Sequence, residues 1–146
     1  MSVIIREGSA AEAAALAKSI PEFDDPYPEA EFYRRLDKRE HLILIACDDN
    51  VQVGFMVAYY KQEEKILYCW MAGVVPAYRN RGVATGLIDH QEQWAISHRY
   101  HQVEIKTRNK HRNMLRLLLH RDYMIIDFKK KSAVEENSII LRKSLI

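Results

Sequence analysis

The sequence is poor in cysteine, proline and glycine, and it has no long apolar run. Its 146 residues include two cysteines, four prolines and five glycines. Cys47 and Cys69 both lie in apolar, strand-like runs, which favours two buried thiols in a reducing cytoplasm over a disulfide or half of a metal site. No segment approaches the roughly 20 apolar residues that a membrane-spanning helix needs, so we expect no membrane association.

Targeting and linker signals are also missing. The N-terminal residues carry Glu7 and Glu12 and have no basic region ahead of their apolar stretch, so they do not resemble a signal peptide. We find no internal repeat, no low-complexity tract and no linker rich in proline and glycine. With 48% hydrophobic and 29% charged residues, the composition is that of a soluble globular protein. We therefore predict one domain over residues 1–146, in the cytoplasm.

Strand-like and helix-like runs alternate along the chain in the order βααβββαβαββ. We predict strands at 2–7, 41–49, 51–60, 66–75, 101–107, 123–128 and 138–145, with a polar turn at 61–64. Helices are predicted at 10–19, where Ser9 and Glu12 form a capping box, in a short segment ending near 38, and at 81–98 and 112–120. This order indicates an α/β fold of the α+β type, with a mixed, mostly antiparallel central sheet flanked by helices. The closing strand is a candidate edge strand for a homodimer.

Charge is distributed unevenly. Residues 1–40 hold six basic and nine acidic side chains, a balance of −3, whereas residues 99–131 hold ten basic and three acidic, a balance of +7. The basic segment raises the alternative of a nucleic-acid-binding module. Its charges, however, surround an apolar helix and include few aromatic residues to stack on bases, so we do not expect nucleic acid as a partner.

The most informative stretch is VVPAYRNRGVATGLI, residues 74–88, where an apolar strand becomes a helix. It lacks the spacing and lysine of a Walker A loop, and it is not a G-x-G-x-x-G dinucleotide motif. Gly82 lets the backbone approach an anion, the helix N-terminus offers free N–H groups, and Arg79 and Arg81 add charged donors. The residues alone leave two interpretations open: a diphosphate site, or a charged loop before an amphipathic helix.

This stretch resembles the signature motif of the GNAT superfamily of acetyl-CoA-dependent N-acetyltransferases, V-x-P-x-[YF]-[QR]-x-x-G-x-[GA]. Every fixed position is filled, and the order of elements is similar to that fold over essentially the whole chain. The resemblance implies that acetyl-CoA is the co-substrate, with no metal. It also implies that two strands, 66–75 and 103–107, splay apart around the thioester. The implied cofactor-binding residues are Ala72, Gly73 and Val74 for the pantetheine arm, and Arg79, Asn80, Arg81, Gly82, Val83, Ala84 and Thr85 for the diphosphate.

The implied reaction is direct attack of a primary amine on the thioester. The backbone N–H of Val74 is the implied oxyanion donor. The tyrosine that often protonates the thiolate in this family is missing, because Leu118 stands at its position, five residues before Tyr123. Tyr68 lies where some members carry a glutamate base, and its phenol could donate a proton or could simply pack.

Several further side chains have no assigned catalytic role. Tyr123 and Cys69 are better explained as core residues. Asn113 could contact the cofactor, or it could cap a helix or be solvated, and the family position for that contact falls on His111. None of the six histidines has a convincing partner in the sequence.

The proline-rich acidic loop before the second helix occupies the place where the family builds its acceptor wall. Phe23, Asp24, Asp25 and Tyr27, together with Glu22, could attract and stack on a cationic amine, such as a polyamine, a lysine side chain or a peptide N-terminus. The alternative is a solvated acidic loop. The missing tyrosine also leaves room for a catalytically weak CoA-binding sensor. The sequence identifies neither the acceptor nor the general base.

Overall fold

The computed structural model describes residues 2–61 and 65–146, so the predicted polar turn at 61–64 lies largely outside the described residues. The predicted order of strands and helices is confirmed, with ends that shift by one or two residues. The elements are β1 Val3–Glu7, α1 Ala10–Lys18, α2 Glu29–Leu36, β2 His41–Asp48, β3 Val51–Lys61, β4 Ile66–Val74, α3 Val83–Ser97, β5 Gln102–Arg108, α4 Arg112–His120, β6 Met124–Lys129 and β7 Ser138–Ser144.

The strands form one sheet in the order β1-β2-β3-β4-β5-β7-β6. Only β4 and β5 pair in parallel; the other neighbours are antiparallel. The prediction of β7 as an edge strand is wrong, because β7 lies between β5 and β6. Burial explains this placement: Ser138, Ile140 and Leu141 of β7 are buried, whereas every residue of the edge strand β6 is exposed.

Helices cover the sheet on two faces. We call the side that packs on α1 and α2 the front face; its core includes Ile45, Phe55 and Val57. The side that packs on α3 and α4 is the back face, where Met56 and Leu87 lie in the core. Since successive strand residues point to opposite faces, β2 and β3 contribute to both cores, which accounts for their nearly continuous apolar runs.

The start of α1 is fixed by the predicted capping box, which is confirmed. The Ser9 hydroxyl accepts from the backbone N–H of Glu12 at 3.2 Å, and Glu12 Oε1 accepts from the backbone N–H of Ser9 at 2.9 Å. The same carboxylate accepts from Arg6 of β1 and Gln52 of β3, each at 2.6 Å. One side chain therefore caps the helix and joins it to two strands.

Among the described residues, no helix combines the length and the apolar character required to cross a membrane.

Candidate active site

The parallel strands β4 and β5 separate partway along their length. Their pairing runs from Ile66 opposite Gln102 to Cys69 opposite Ile105 and then stops, although β4 continues to Val74 and β5 to Arg108. At the same point β4 has a bulge: Ala58 pairs with Cys69 and Val57 with Met71, which leaves Trp70 as the extra residue. A bulge bends its strand and increases its twist. The result is a wedge-shaped gap, as the family resemblance implied.

The upper end of β4 turns free backbone groups towards this gap. The N–H of Val75 donates to the carbonyl of Val53 at 2.9 Å, so the bonding pattern with β3 is fixed there. Because such bonds alternate along an antiparallel pair, Gly73 bonds to β3 while Ala72 and Val74 face away from β3. Of the three residues predicted to hold pantetheine, two therefore present backbone groups to the gap.

Gly73 has a different role, since it allows the loop between α1 and α2 to pack on the strand. A Cβ atom at this position would lie 2.9 Å from both Ile20 Cδ1 and Phe23 Cε2. The Phe23 ring is half-buried, with its centroid 5.8 Å from that of Phe55. The predicted acceptor residue Phe23 is thus held at the mouth of the gap.

The glycine–arginine turn leads from β4 into α3 through a short 3-10 turn at Pro76–Tyr78. Asn80 and Gly82 both have a left-handed backbone, with φ of 61° and 82°. The helix begins at Val83, two residues later than predicted, and its first bond is from Gly86 N–H to Gly82 O at 3.0 Å. Within the described chain, the N–H groups of residues 80–85 form no hydrogen bond of ordinary geometry with a protein acceptor, although residues 79–82 form a turn.

The glycine–arginine turn also has open space beside its backbone at Gly82. A Cβ atom built on Gly82 would meet no heavy atom within 4 Å. Free N–H groups at the positive end of a helix dipole, beside open space, suit an anion with several oxygens. The residues that the resemblance assigned to the diphosphate therefore fit such a group through their backbone.

The two arginines of the turn are engaged by the protein. Arg79 donates from Nε to the carbonyl of Val74 at 3.1 Å and from Nη2 to Glu22 at 2.6 Å. In this structure the Arg79 side chain joins the strand end to the acidic loop, and its role in binding the diphosphate stays a prediction. Arg81 lies over the Tyr78 ring at 5.4 Å, and Tyr78 donates to Asp48 at 2.6 Å.

Tyr68 lies on the front face, one rung below the point where the strands separate. Burial raises its pKa, with nearby Tyr59 and Glu104 contributing, so the phenol is neutral at physiological pH. Its neighbour Glu104 is buried and accepts from Lys61 at 2.6 Å and Arg142 at 2.8 Å. Tyr68 can therefore act only as a proton donor, and Glu104 is occupied by two cations.

The back face contains no substitute for the missing tyrosine among the candidates from the sequence. Leu118 is fully buried in the core. Tyr123 donates to the buried carboxylate of Glu92 at 2.9 Å, and burial raises the pKa of this tyrosine. Burial raises the pKa of the Cys69 thiol to about 12. These are the packing roles that the sequence favoured for Tyr123 and Cys69.

The two candidate residues at the start of α4, His111 and Asn113, have different environments. His111 is the residue that caps the helix, although its side chain makes no capping bond, so capping by Asn113 is wrong. Asn113 is exposed and accepts from Arg116 at 3.3 Å. His111 is half-buried; burial and then Lys110 and Arg108 lower its pKa, while Glu22 acts in the opposite direction.

Glu22 thus lies close enough to act on both Arg79 and His111, on opposite sides of the gap. Sequence reasoning missed this contribution, because 57 residues separate Glu22 from Arg79 and no local pattern links them. It also missed Trp70. The Tyr27 ring lies 5.3 Å from the Trp70 ring, and the Arg35 guanidinium lies 4.3 Å above Trp70. Tyr27 therefore belongs to a wall built on the bulge residue.

The two aspartates of the loop remain available. Asp24 and Asp25 are exposed, and neither forms an ion pair with any described residue. They occur beside Phe23, which contacts the end of β4. Over residues 2–61 and 65–146, no three histidine, cysteine or acidic side chains form a group that could hold a metal ion.

Comparisons with known structures agree with this geometry. The ribosomal-protein-S18-alanine N-acetyltransferase from Escherichia coli superposes with a TM-score of 0.84 at 13% identity, over 99% of this chain and 94% of that one. Arabidopsis thaliana NAA60, solved with a bisubstrate analogue, gives 0.80 at 16% identity over 98% of each chain. Salmonella typhimurium yncA, solved with its cofactor acetyl-CoA, gives 0.79 at 13% identity over 100% and 95%.

These identities are low, so the superpositions establish the fold alone. No curated protein sequence matched the chain. The family model described as Acetyltransferase (GNAT) family matches residues 12–123, which include most of α1, all of α2, the splayed strands and the glycine–arginine turn. The chain therefore belongs to the GNAT acetyltransferase family.

Proposed function

We propose that this chain is a single-domain N-acetyltransferase that transfers the acetyl group of acetyl-CoA directly to a primary amine. The observation that carries the proposal is the turn at residues 80–85, with its unpaired N–H groups and the open space at Gly82. These groups would hold the diphosphate, and Ala72 and Val74 would bond to the pantetheine arm. Acetyl-CoA would supply the acetyl group as an activated thioester.

The chain's own residues would then orient the reacting groups. The N–H of Val74, turned to the gap, would stabilise negative charge on the carbonyl oxygen of the thioester. Tyr68 can donate a proton on the acceptor side. The amine reaches the gap as a cation, and Asp24 and Asp25 would attract it before it loses its proton. The two free thiols support the predicted cytoplasmic location.

The test of the cofactor site is a pair of variants at one position. Gly82→Ala adds only a methyl group and the strain of a left-handed residue, which costs roughly 1 kcal/mol, so acetyl-CoA should still bind. Gly82→Glu adds a carboxylate beside the diphosphate, and we expect binding to be lost in isothermal titration while circular dichroism is unchanged. Gln93→Glu, on the exposed side of the same helix, controls for charge alone. Unchanged affinity in Gly82→Glu would refute the proposal.

The acceptor loop is tested separately. The double variant Asp24→Asn, Asp25→Asn should raise the KM for amine acceptors and leave the KM for acetyl-CoA unchanged. If the KM for every amine stays the same, the loop is a solvated acidic segment and takes no part in acceptor binding.

A CoA-binding sensor is the second candidate, and the observation that favours it is the burial of Leu118 where the family often has a tyrosine. Thiol release during incubation with a library of amines distinguishes the two, because a sensor binds acetyl-CoA without turnover. Nucleic-acid binding has less support. Several basic residues of segment 99–131 already have acidic partners: Arg108 and Lys110 pair with Glu136, and Arg121 pairs with Asp89.

A further inference from the structure

Over its last three strands the front face of the sheet carries no helix from the described residues, although Glu104, Ser138 and Ile140 on that face are buried. Tyr68 packs with the front-face core and lies opposite Glu104 of β5, so alternate residues of β5 from Glu104 onward point to the front. The helices α1 and α2 contact β2 and β3, and no helix among the described residues packs on the front of β5, β7 and β6. Lys106 and Arg108 are exposed there.

The register of these strands brings further cations into line with those of β5. Arg108 lies opposite Ser138 of β7, and Ser138 lies opposite Lys129 of β6. Residues directly opposite one another share a face, so Arg108 and Lys129 belong to the same front-face row. Lys106 lies in the next row, opposite Ile140.

These cations have few internal partners. Arg108 pairs with Glu136 at 2.8 Å. Lys106, Lys129 and Lys131 form no ion pair with any residue that the structure describes. The carboxylate of Asp127, in the same row as Lys106, accepts from the backbone N–H of Phe128 at 2.8 Å.

Lys106 connects this group of positive charges with the gap between β4 and β5, where the proposed acetyl transfer would occur. It is the first β5 residue beyond the last rung between β4 and β5, so it lies where the gap opens. Although Lys106 is exposed, the surrounding protein removes part of its hydration and lowers its pKa, and the nearby positive charges of Lys129, Lys131, Arg108 and Arg35 lower it further. Arg35 belongs to the opposite wall, above Trp70. Positive charge therefore surrounds the acceptor side of the gap from two directions.

Gathering like charges in one place destabilises the free protein unless a ligand neutralises them. The acidic loop provides only Asp24 and Asp25 as free carboxylates, which suits a single ammonium group. We propose that the acceptor is a primary amine that carries carboxylate groups close to the amine, as in an acidic amino acid or the N-terminus of an acidic peptide. This inference rests on the proposed acetyl transfer, and it disfavours polyamines and basic peptides.

The experiment compares three pentapeptides that share their first residue and differ in the next four, which are acidic, neutral or basic. We expect kcat/KM for the acidic peptide to exceed that for the basic peptide by at least tenfold. The difference should arise in KM, and it should become smaller as salt is added. Free aspartate and glutamate distinguish an amino acid from a peptide acceptor. A basic peptide that is preferred, or equal use of all three, would overturn the inference.

Charge reversal provides the second arm. Lys106→Glu combined with Lys129→Glu should raise the KM for the acidic peptide by about tenfold or more and leave the KM for acetyl-CoA unchanged. Lys65→Glu is the matched control, because Lys65 precedes β4 at the opposite end of the sheet. A KM that does not change in the double variant counts against the inference.

A binding measurement tests the preference for an acidic acceptor independently of turnover. Titration of the three peptides into the complex with CoA should show tighter binding of the acidic peptide even if no acetylation is detected. Absence of acetyl-CoA binding would instead refute the proposed function. Acetyl-CoA binding together with no preference for the acidic peptide would refute this inference alone.

Discussion

Single residues in this site are constrained by the partners they already have. Arg79 is held by Glu22 and Val74 O, and Glu104 is held by Lys61 and Arg142. Tyr68 differs from both, because its hydroxyl forms no hydrogen bond with a described residue and its phenol is kept neutral by burial. A neutral donor at the gap is the type of group that a departing thiolate requires.

The residue-scale prediction concerns this phenol. Tyr68→Phe should lower kcat by roughly 100-fold, the lower end of what a general acid contributes, without changing acetyl-CoA affinity. Tyr59→Phe is the matched control, since its ring lies 5.5 Å away and makes the same type of packing contact. Stopped-flow thiol release measures both. If kcat of Tyr68→Phe stays within twofold of the wild type, Tyr68 only packs.

At the scale of elements, one carboxylate joins α1 to two strands, in addition to the apolar packing of the helix on the sheet. Hydrogen bonds from Arg6 and then from the backbone of Ser9 lower the pKa of Glu12 to about 2. A depressed carboxyl pKa contributes stability above the unfolded value of about 4.5, and that stability is lost as pH falls towards 2. The hydrogen bonds that join Glu12 to β1 and β3 should therefore weaken as the pH falls from 4.5 towards 2.

The element-scale prediction is a comparison of Glu12→Gln with the wild type across pH. At pH 7 the variant should be less stable by about 1–2 kcal/mol in urea unfolding, because hydrogen bonds to a charged group are lost. The difference should shrink between pH 4.5 and pH 2, where the wild-type carboxyl also becomes neutral. A difference that does not depend on pH would show that the charge of Glu12 is not the cause.

Local sequence patterns predicted the helices and strands well, but they predicted less about which strands and side chains are paired. Ser9 and Glu12 marked the start of α1, and the motif from Val74 to Ala84 located the turn, because both signals lie within a few adjacent residues. The position of β7 inside the sheet, the clamp between Glu22 and Arg79 and the wall at Trp70 depend on residues far apart in the chain. No periodicity reports such contacts, so the acceptor side could be predicted only in outline.

At the scale of the whole molecule, the two edge strands of the sheet differ in the apolar side chains that they expose. The edge strand β6 exposes Met124, Ile125, Ile126 and Phe128, whereas the other edge, β1, exposes Ile4 as its one large apolar side chain. An exposed apolar edge strand favours pairing with another chain. The homodimer that the sequence left open is therefore better placed at β6 than at β7.

The molecule-scale prediction follows from this difference. If the chain dimerises through β6, the variant Ile126→Lys, Phe128→Lys should sediment as a monomer at concentrations where the wild type is a dimer. Ile4→Lys, on the opposite edge, should leave the wild-type behaviour unchanged. A wild type that is monomeric at high micromolar concentration would contradict the prediction, and so would equal dissociation of both variants.

Because β4 separates from β5, amide exchange in the sheet itself can report whether the gap is occupied. Ala72 and Val74 have amide protons inside a folded sheet with no strand to receive them, while Gly73, between them, bonds to β3. Amide exchange in the empty protein should therefore be fast, slow and fast at three consecutive residues. A molecule that occupies the gap as an additional strand would slow the two fast sites together, so exchange at two backbone positions would measure occupancy directly.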